Sequence, residues 1–167
     1  MEKLEGDHQA YQYLLEAIKR DGVPYDLISK SLPTVEGAVN DILSQIVDFN
    51  IVFNMDGKVI DTHIVYDDDR VWPLELSSGM ERFISSLAIR ASLINVSNLP
   101  RSNFLAIDEG WGTMDSDNIN SVYGLFQYLK TQFQFSLIVS HIDSMRDAVD
   151  TLLEVKKDGS YSNINFD

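Results

Sequence analysis

The chain has 167 residues, 44% of them hydrophobic and 10% aromatic, enough for one domain with a real core. Its 26 acidic and 13 basic side chains leave a formal net charge of −13, which argues against holding nucleic acid by the average surface, because that needs clustered Lys and Arg. There is no cysteine, hence no disulfide and no thiolate metal site, and the composition fits a reducing compartment. No apolar run is long enough to span a membrane, and residues 1–20 are too polar for a signal peptide.

Leu4, Tyr11 and Ile18 recur every seventh residue, with Leu14 and Leu15 between them. That spacing predicts an amphipathic helix over 1–20, and about two heptads leave open whether it is the stump of a coiled coil. Asp21-Gly22 and Pro24 are expected to stop it. Pro33-Thr34 is then expected to open a second helix with Thr34 as its N-cap. Its apolar face would be Val35, Ala38, Val39, Ile42, Leu43, Ile46 and Val47. From Asn50 to Tyr66 the pattern turns to β, with Met55-Asp56-Gly57-Lys58 as a tight hairpin turn. Asp67-Asp68-Asp69-Arg70 reads as a polar, solvated loop, although an acidic triplet also admits a metal.

From Ser77 the period is helical again, with Phe83, Ile84, Leu87, Ala88, Ala91 and Ile94 on one face. Pro100 marks a loop. Phe104 to Ile107 is a short continuous apolar run, expected of a strand buried on both faces, and Phe135 to Val139 reads as a second. Between them Ile119, Val122, Tyr123, Phe126 and Leu129 predict a helix. A short helix over 142–149 and a closing hairpin around Asp158-Gly159 complete the chain. Alternating helix and strand in the second half indicates an α/β fold with a mainly parallel sheet.

Chemistry concentrates at strand ends and helix starts. Asp108-Glu109 ends the first apolar strand, and ligands of open parallel sheets bind beyond that end. There Asp108 can hold a magnesium ion and Glu109 can orient and polarise a water; an ordinary acidic turn is the alternative. Leu76-Ser77-Ser78-Gly79-Met80 lies where a loop becomes a helix, so its N–H groups and hydroxyls offer an anion site, or simply an N-cap. Asp115 ends the turn Gly112-Thr113-Met114-Asp115 and can equally cap the next helix. His141 follows the second apolar strand, where an imidazole can reach a phosphate or cap the following turn. The order of these signals is that of a nucleotide-hydrolysis apparatus. One part is missing: no G-x-x-x-x-G-K-[ST] phosphate loop occurs in the chain.

The set resembles the C-terminal lobe of the ABC-type ATPase heads of SMC-like proteins. It is most similar to SbcC-type DNA double-strand-break repair ATPases, including those of phage recombination endonucleases. In this resemblance Leu76 to Met80 is the signature motif, Phe104 to Glu109 Walker B, Gly112 to Asp115 the D-loop, and His141 the switch histidine. Asp21-Gly22-Val23-Pro24-Tyr25, Leu32-Pro33 and Asn40-Asp41-Ile42-Leu43 look like the segment after the returning coiled coil. Two positions depart from the pattern: Ser78 stands where the signature has Gly, and Met80 where it has Gln or Glu.

The resemblance implies a division into a coiled-coil end, 1–20, and an ATPase lobe, 21–167. It implies ATP and Mg2+ as ligands. Asp108 would serve the metal, Ser77, Ser78, Gly79, Met80 and Asp115 the nucleotide, and Glu109 and His141 catalysis. The partners implied are an N-terminal Walker A lobe of the same or a split protein, a second head, an SbcD-type nuclease, and DNA through the assembled complex. A cytoplasmic, DNA-associated setting follows. The chain alone is expected to be inactive, as a fragment or one piece of a split head. An SMC- or cohesin-like architectural head and a non-catalytic assembly module are the competing readings.

Overall fold

The computed structural model describes residues 2–19, 21–56, 59–67, 69–108 and 119–166. The first helix, α1, spans Glu2–Ile18. Leu4, Tyr11, Leu14, Leu15 and Ile18 are all exposed along it, as befits a coiled-coil stump without its second strand.

The second helix departs from expectation. Pro33 does not open it; α2 runs unbroken from Val23 to Leu43 with Pro33 inside. Gly22 is its N-cap, and Pro24 sits in the first turn, where a missing N–H costs no intrahelical bond. Only glycine fits at 22, because a Cβ there would lie 2.5 Å from the Ala17 carbonyl oxygen. Pro33 is tolerated because it lies on an exposed stretch, ahead of the buried anchors Val35, Val39, Ile42 and Leu43. Packing of that later half decides the helix, and one interior proline does not break it.

Strands β1 (Asn50–Asp56), β2 (Val59–Asp67) and β3 (Arg70–Pro73) form an antiparallel sheet in that order. Gly57 and Lys58 of the expected hairpin turn lie outside the described residues. The third strand goes beyond expectation: the polar loop is shorter than it reads, and Arg70 already pairs with Asp67 in the ladder. Helix α2 covers the outer edge of β1 with polar side chains. Asn40 accepts from the Ile51 N–H at 2.7 Å and donates to the Ile51 carbonyl at 2.8 Å, while Glu36 accepts from the Phe53 N–H at 2.8 Å.

A short 3-10 turn, Leu74–Leu76, leads into α3 (Gly79–Val96). Helix α3 is the wall between two cores. On one side Ile84, Ala88 and Ala91 pack with Val39, Leu43, Ile51 and Ile64 from α2 and the three-stranded sheet. On the other, Leu87 packs with Ile107 of β4 (Phe104–Asp108) and with Leu125, Phe126 and Leu129 of α4 (Ile119–Gln132).

β4 pairs in parallel with β5 (Phe135–Val139), and this is the one parallel pair among the described residues. The expected parallel sheet is thus present in part among the described residues, beside two antiparallel sheets. These strands are not buried on both faces. Leu105, Ile107, Ser136 and Ile138 turn inward, whereas Phe104 (48% exposed), Phe135 (57%), Leu137 (46%) and Val139 (46%) form an open apolar row. Alternate residues of a strand point to opposite faces, and among the described residues helices pack on only one of them. The expected short helix is a 3-10 segment, Asp143–Ala148. The closing hairpin joins β6 (Leu153–Asp158) to β7 (Tyr161–Phe166) through Gly159, whose φ of +59° favours glycine.

Candidate functional site

The turn that starts α3 is the most fully determined part of the site. Ser78 is the N-cap in extended conformation, and with Glu81 it forms a complete capping box. The Ser78 hydroxyl accepts from the Glu81 N–H at 3.2 Å, and the Glu81 carboxylate accepts from the Ser78 N–H at 2.6 Å. Ser77 is buried and tied back to the 3-10 turn, its hydroxyl donating to the Leu74 carbonyl at 2.7 Å and its N–H to the same oxygen at 3.1 Å. Ser78 is exposed; Gly79 and Met80 are half-buried, and Met80 packs against the α2–sheet core.

Behind this turn stands Tyr66 of β2, whose hydroxyl donates to the other oxygen of Glu81. Burial, then the hydrogen bond to Glu81, push the Tyr66 phenol up to about 12. Burial also acts to raise the Glu81 carboxyl, but bonds from Tyr66 and Ser78 outweigh it and hold the group below the usual range. Tyr66 is itself fixed by ring contacts to Phe49 and Trp72, each 5.5 Å between centroids, and by the Arg70 guanidinium 5.2 Å above its ring. Arg70 in turn pairs with Asp67 at 2.7 Å. The acidic stretch thus orients an arginine, and among the described residues no group of acids or histidines forms a metal cluster. Sequence reasoning missed Tyr66, Arg70 and Glu81; the S-x-x-E spacing of Ser78 and Glu81 was the available signal for the last.

The other half of the site lies at the carboxyl end of β4–β5. Asp108 is exposed and stands in register with Val139, which precedes Ser140-His141. The parallel pairing therefore brings Asp108 and His141 to one end of the same two-stranded sheet. The Ser140 hydroxyl accepts from the Ile142 N–H at 3.1 Å and donates to the Met145 sulfur at 3.2 Å, fixing the turn that carries the exposed His141. Glu109 and Asp115 lie outside the described residues. The turn that starts α3 and the Asp108–His141 end adjoin different cores, linked through Phe83, which touches both.

This arrangement is the fold of SMC head domains. The Smc head of Pyrococcus furiosus, solved with an extended coiled coil and the C-terminal domain of ScpA, superposes with a TM-score of 0.68 at 16% identity, over 99% of this chain and 42% of that one. A head from a study of ATP-driven dimerization and DNA-stimulated activation of SMC ATPases gives 0.69 at 14% identity, over 84% and 88%.

Sequence relatives point the same way. The chain is 36% identical over 170 residues to an uncharacterized protein of Acanthamoeba polyphaga mimivirus, covering 92% of this chain and 13% of that protein. It is 30% identical over 93 residues to the SbcC component of the SbcCD nuclease of Staphylococcus aureus, covering 53% of this chain and 9% of that protein. No protein-family model matches. The chain thus spans about an eighth or less of the length of these curated relatives. Fold and sequence together fit the C-terminal lobe of an SMC- and SbcC-like ATPase head.

Proposed function

We propose that this chain is the C-terminal lobe, 21–167, of an SbcC-like repair or recombination ATPase, with 1–20 as the end of its coiled coil. The observation that carries the reading is the pairing of β4 with β5, with Asp108 and the His141 turn at the same carboxyl end, in a chain whose α3 begins with the signature turn. In parallel sheets that end is where ligands bind. A lobe bearing Walker A would complete the nucleotide site, and its docking would cover the open row Phe104, Phe135, Leu137 and Val139. ATP would bind between the phosphate loop of one head and Ser77 to Met80 of a second, so that binding clamps two heads and hydrolysis releases them. That motion would govern an SbcD-type nuclease acting on DNA ends.

The donor set suits magnesium. Mg2+ takes one or two carboxylates and leaves its other positions to phosphate and water, and Asp108 offers one exposed carboxylate. Bound with ATP, the ion would neutralise charge on the phosphates. Glu109 would accept the proton of the attacking water, and the start of α3 would present N–H groups to the terminal phosphate. His141, beyond the adjacent strand, would donate to charge that develops during transfer. The SMC neighbours favour a second reading, an architectural head that engages a ScpA-like partner in place of a nuclease. Co-purification of the full protein with one or the other separates the two.

The test is reconstitution. The chain by itself should hydrolyse ATP at background rate, and addition of a lobe bearing the phosphate loop should restore turnover. Steady-state hydrolysis by the pure chain refutes the half-site reading. Ser78→Arg should then abolish ATP-driven dimerisation, read by light scattering, while single-head nucleotide binding survives.

A further inference from the structure

The signature turn has more donors than it can offer a ligand, and the structure has already committed most of them. The Ser77 N–H goes to Leu74, the Ser78 N–H to Glu81, the Glu81 N–H to Ser78, and the Arg82 N–H to the Ser78 carbonyl at 3.0 Å. What remains is the pair of N–H groups of Gly79 and Met80, which at the first two helical positions have no intrahelical acceptor, whereas the Ser78 hydroxyl also bonds the Glu81 carboxylate. Which donors remain depends on where the Glu81 carboxylate sits. One of its oxygens is held by the Ser78 N–H and the other by the Tyr66 hydroxyl, so both anchors together define its orientation.

We propose that Tyr66 and Glu81 are positioning residues for the signature turn: they fix the Ser78 cap and leave Gly79 and Met80 as the donors presented to an incoming phosphate. A carboxylate this close to an anion site is a hazard, because a free rotamer would turn negative charge toward the ligand. Tyr66 removes that freedom. Its ring is held against Phe49 and Trp72 and beneath Arg70, so the three-stranded sheet, not the helix alone, sets the geometry of the turn. The inference rests on the reading that this turn meets the nucleotide of a second head, and extends it to residues outside the motif.

The experiment uses the chain completed by its Walker A lobe. Light scattering gives the ATP concentration for half-maximal dimerisation, a single-head titration gives nucleotide affinity, and thermal melting gives stability. Tyr66→Phe keeps the ring contacts and loses only the donor. It should raise the half-maximal ATP concentration about tenfold, the scale of one hydrogen bond to a charged group, with single-head affinity unchanged. Glu81→Ala should do the same or more. Glu81→Gln retains an acceptor for the Ser78 N–H and should return dimerisation to within about threefold of the parent, since Gln also completes a capping box.

If the unmodified head fails to dimerise with ATP, the head-dimer reading falls and takes this inference with it. If it dimerises and the Tyr66→Phe and Glu81→Ala heads match it, only the inference is overturned. A fall in single-head affinity equal to the loss in dimerisation also overturns it, because the residues would then serve general structure.

Discussion

The turn that starts α3 and the β4–β5 sheet end are the two termini proposed to meet a ligand, yet they are finished to different degrees. At the turn the cap, its carboxylate and the phenol behind it are all partnered within this chain. At β4–β5 the inward face is packed, while the outward face presents Phe104 stacked on Phe135, 5.5 Å between ring centroids, with Leu137 and Val139 beside them. A surface that is apolar and contiguous is costly to leave in water. The turn is partnered within this chain; the sheet end keeps an open apolar row, which the proposed completing lobe would cover.

The sharpest way to test this contrast is at the chemistry the assembled end would perform. Glu109→Gln in the completed head should keep nucleotide binding and lower hydrolysis at least ~100-fold, because the amide cannot take the water's proton. A rate near that of the parent would remove Glu109 from the role of base. Next in size is the open row. Leu137→Glu should weaken association with the completing lobe at least about tenfold, the loss expected when a Leu side chain is no longer buried. The isolated chain, in which Leu137 is already half in water, should change in stability by less than about 0.5 kcal/mol. Unchanged association would show that the row is not the docking face.

Ser78→Ala should give the reverse pattern. Losing an N-cap acceptor costs about 1 kcal/mol, so denaturant unfolding of the isolated chain should shift its midpoint with an unchanged slope. No shift would mean that the capping box contributes nothing to α3. The smallest effect is in the pH dependence. Tyr66 titrates in the folded chain at about 12 against an ordinary 10.0, so its contribution to stability is complete below pH 10 and is lost as pH rises through 12. Glu81 is shifted down, so its contribution is present above its ordinary 4.5 and is lost as pH falls through the lower folded value. Tyr66→Phe should remove part of the alkaline loss; an identical alkaline limb would assign that loss to other groups.

What the sequence made legible was local. The helical period from Phe83 to Ile94 and the apolar runs at Phe104 and Phe135 each carry their signal within a few residues. The position of Asp108 beside the strand leading to His141 also followed, since consecutive strand–helix–strand units pair in parallel. What stayed hidden depends on distant partners. Tyr66 reads as one more β residue until the fold brings it to Glu81. Pro33 looks like a boundary because the burial of Val35 and Val39 that carries the helix through it is tertiary. The runs at Phe104 and Phe135 read as doubly buried because both faces carry apolar side chains, but the described residues supply cover for only one.

The contact between α2 and the first sheet has a further consequence, for solubility. A sheet margin with open N–H and C=O groups invites a strand from another molecule to add to it. Here Asn40 occupies both pairing groups of Ile51, and Glu36 takes the N–H of Phe53, so the first half of the β1 margin is blocked to recruitment. The opposite margin, β3, is only four residues long and ends in Pro73. A chain with an open apolar row therefore meets other copies without a growing ribbon of strands as an easy outcome. Asn40→Ala would reopen that route and leave the chain prone to polymerise with itself.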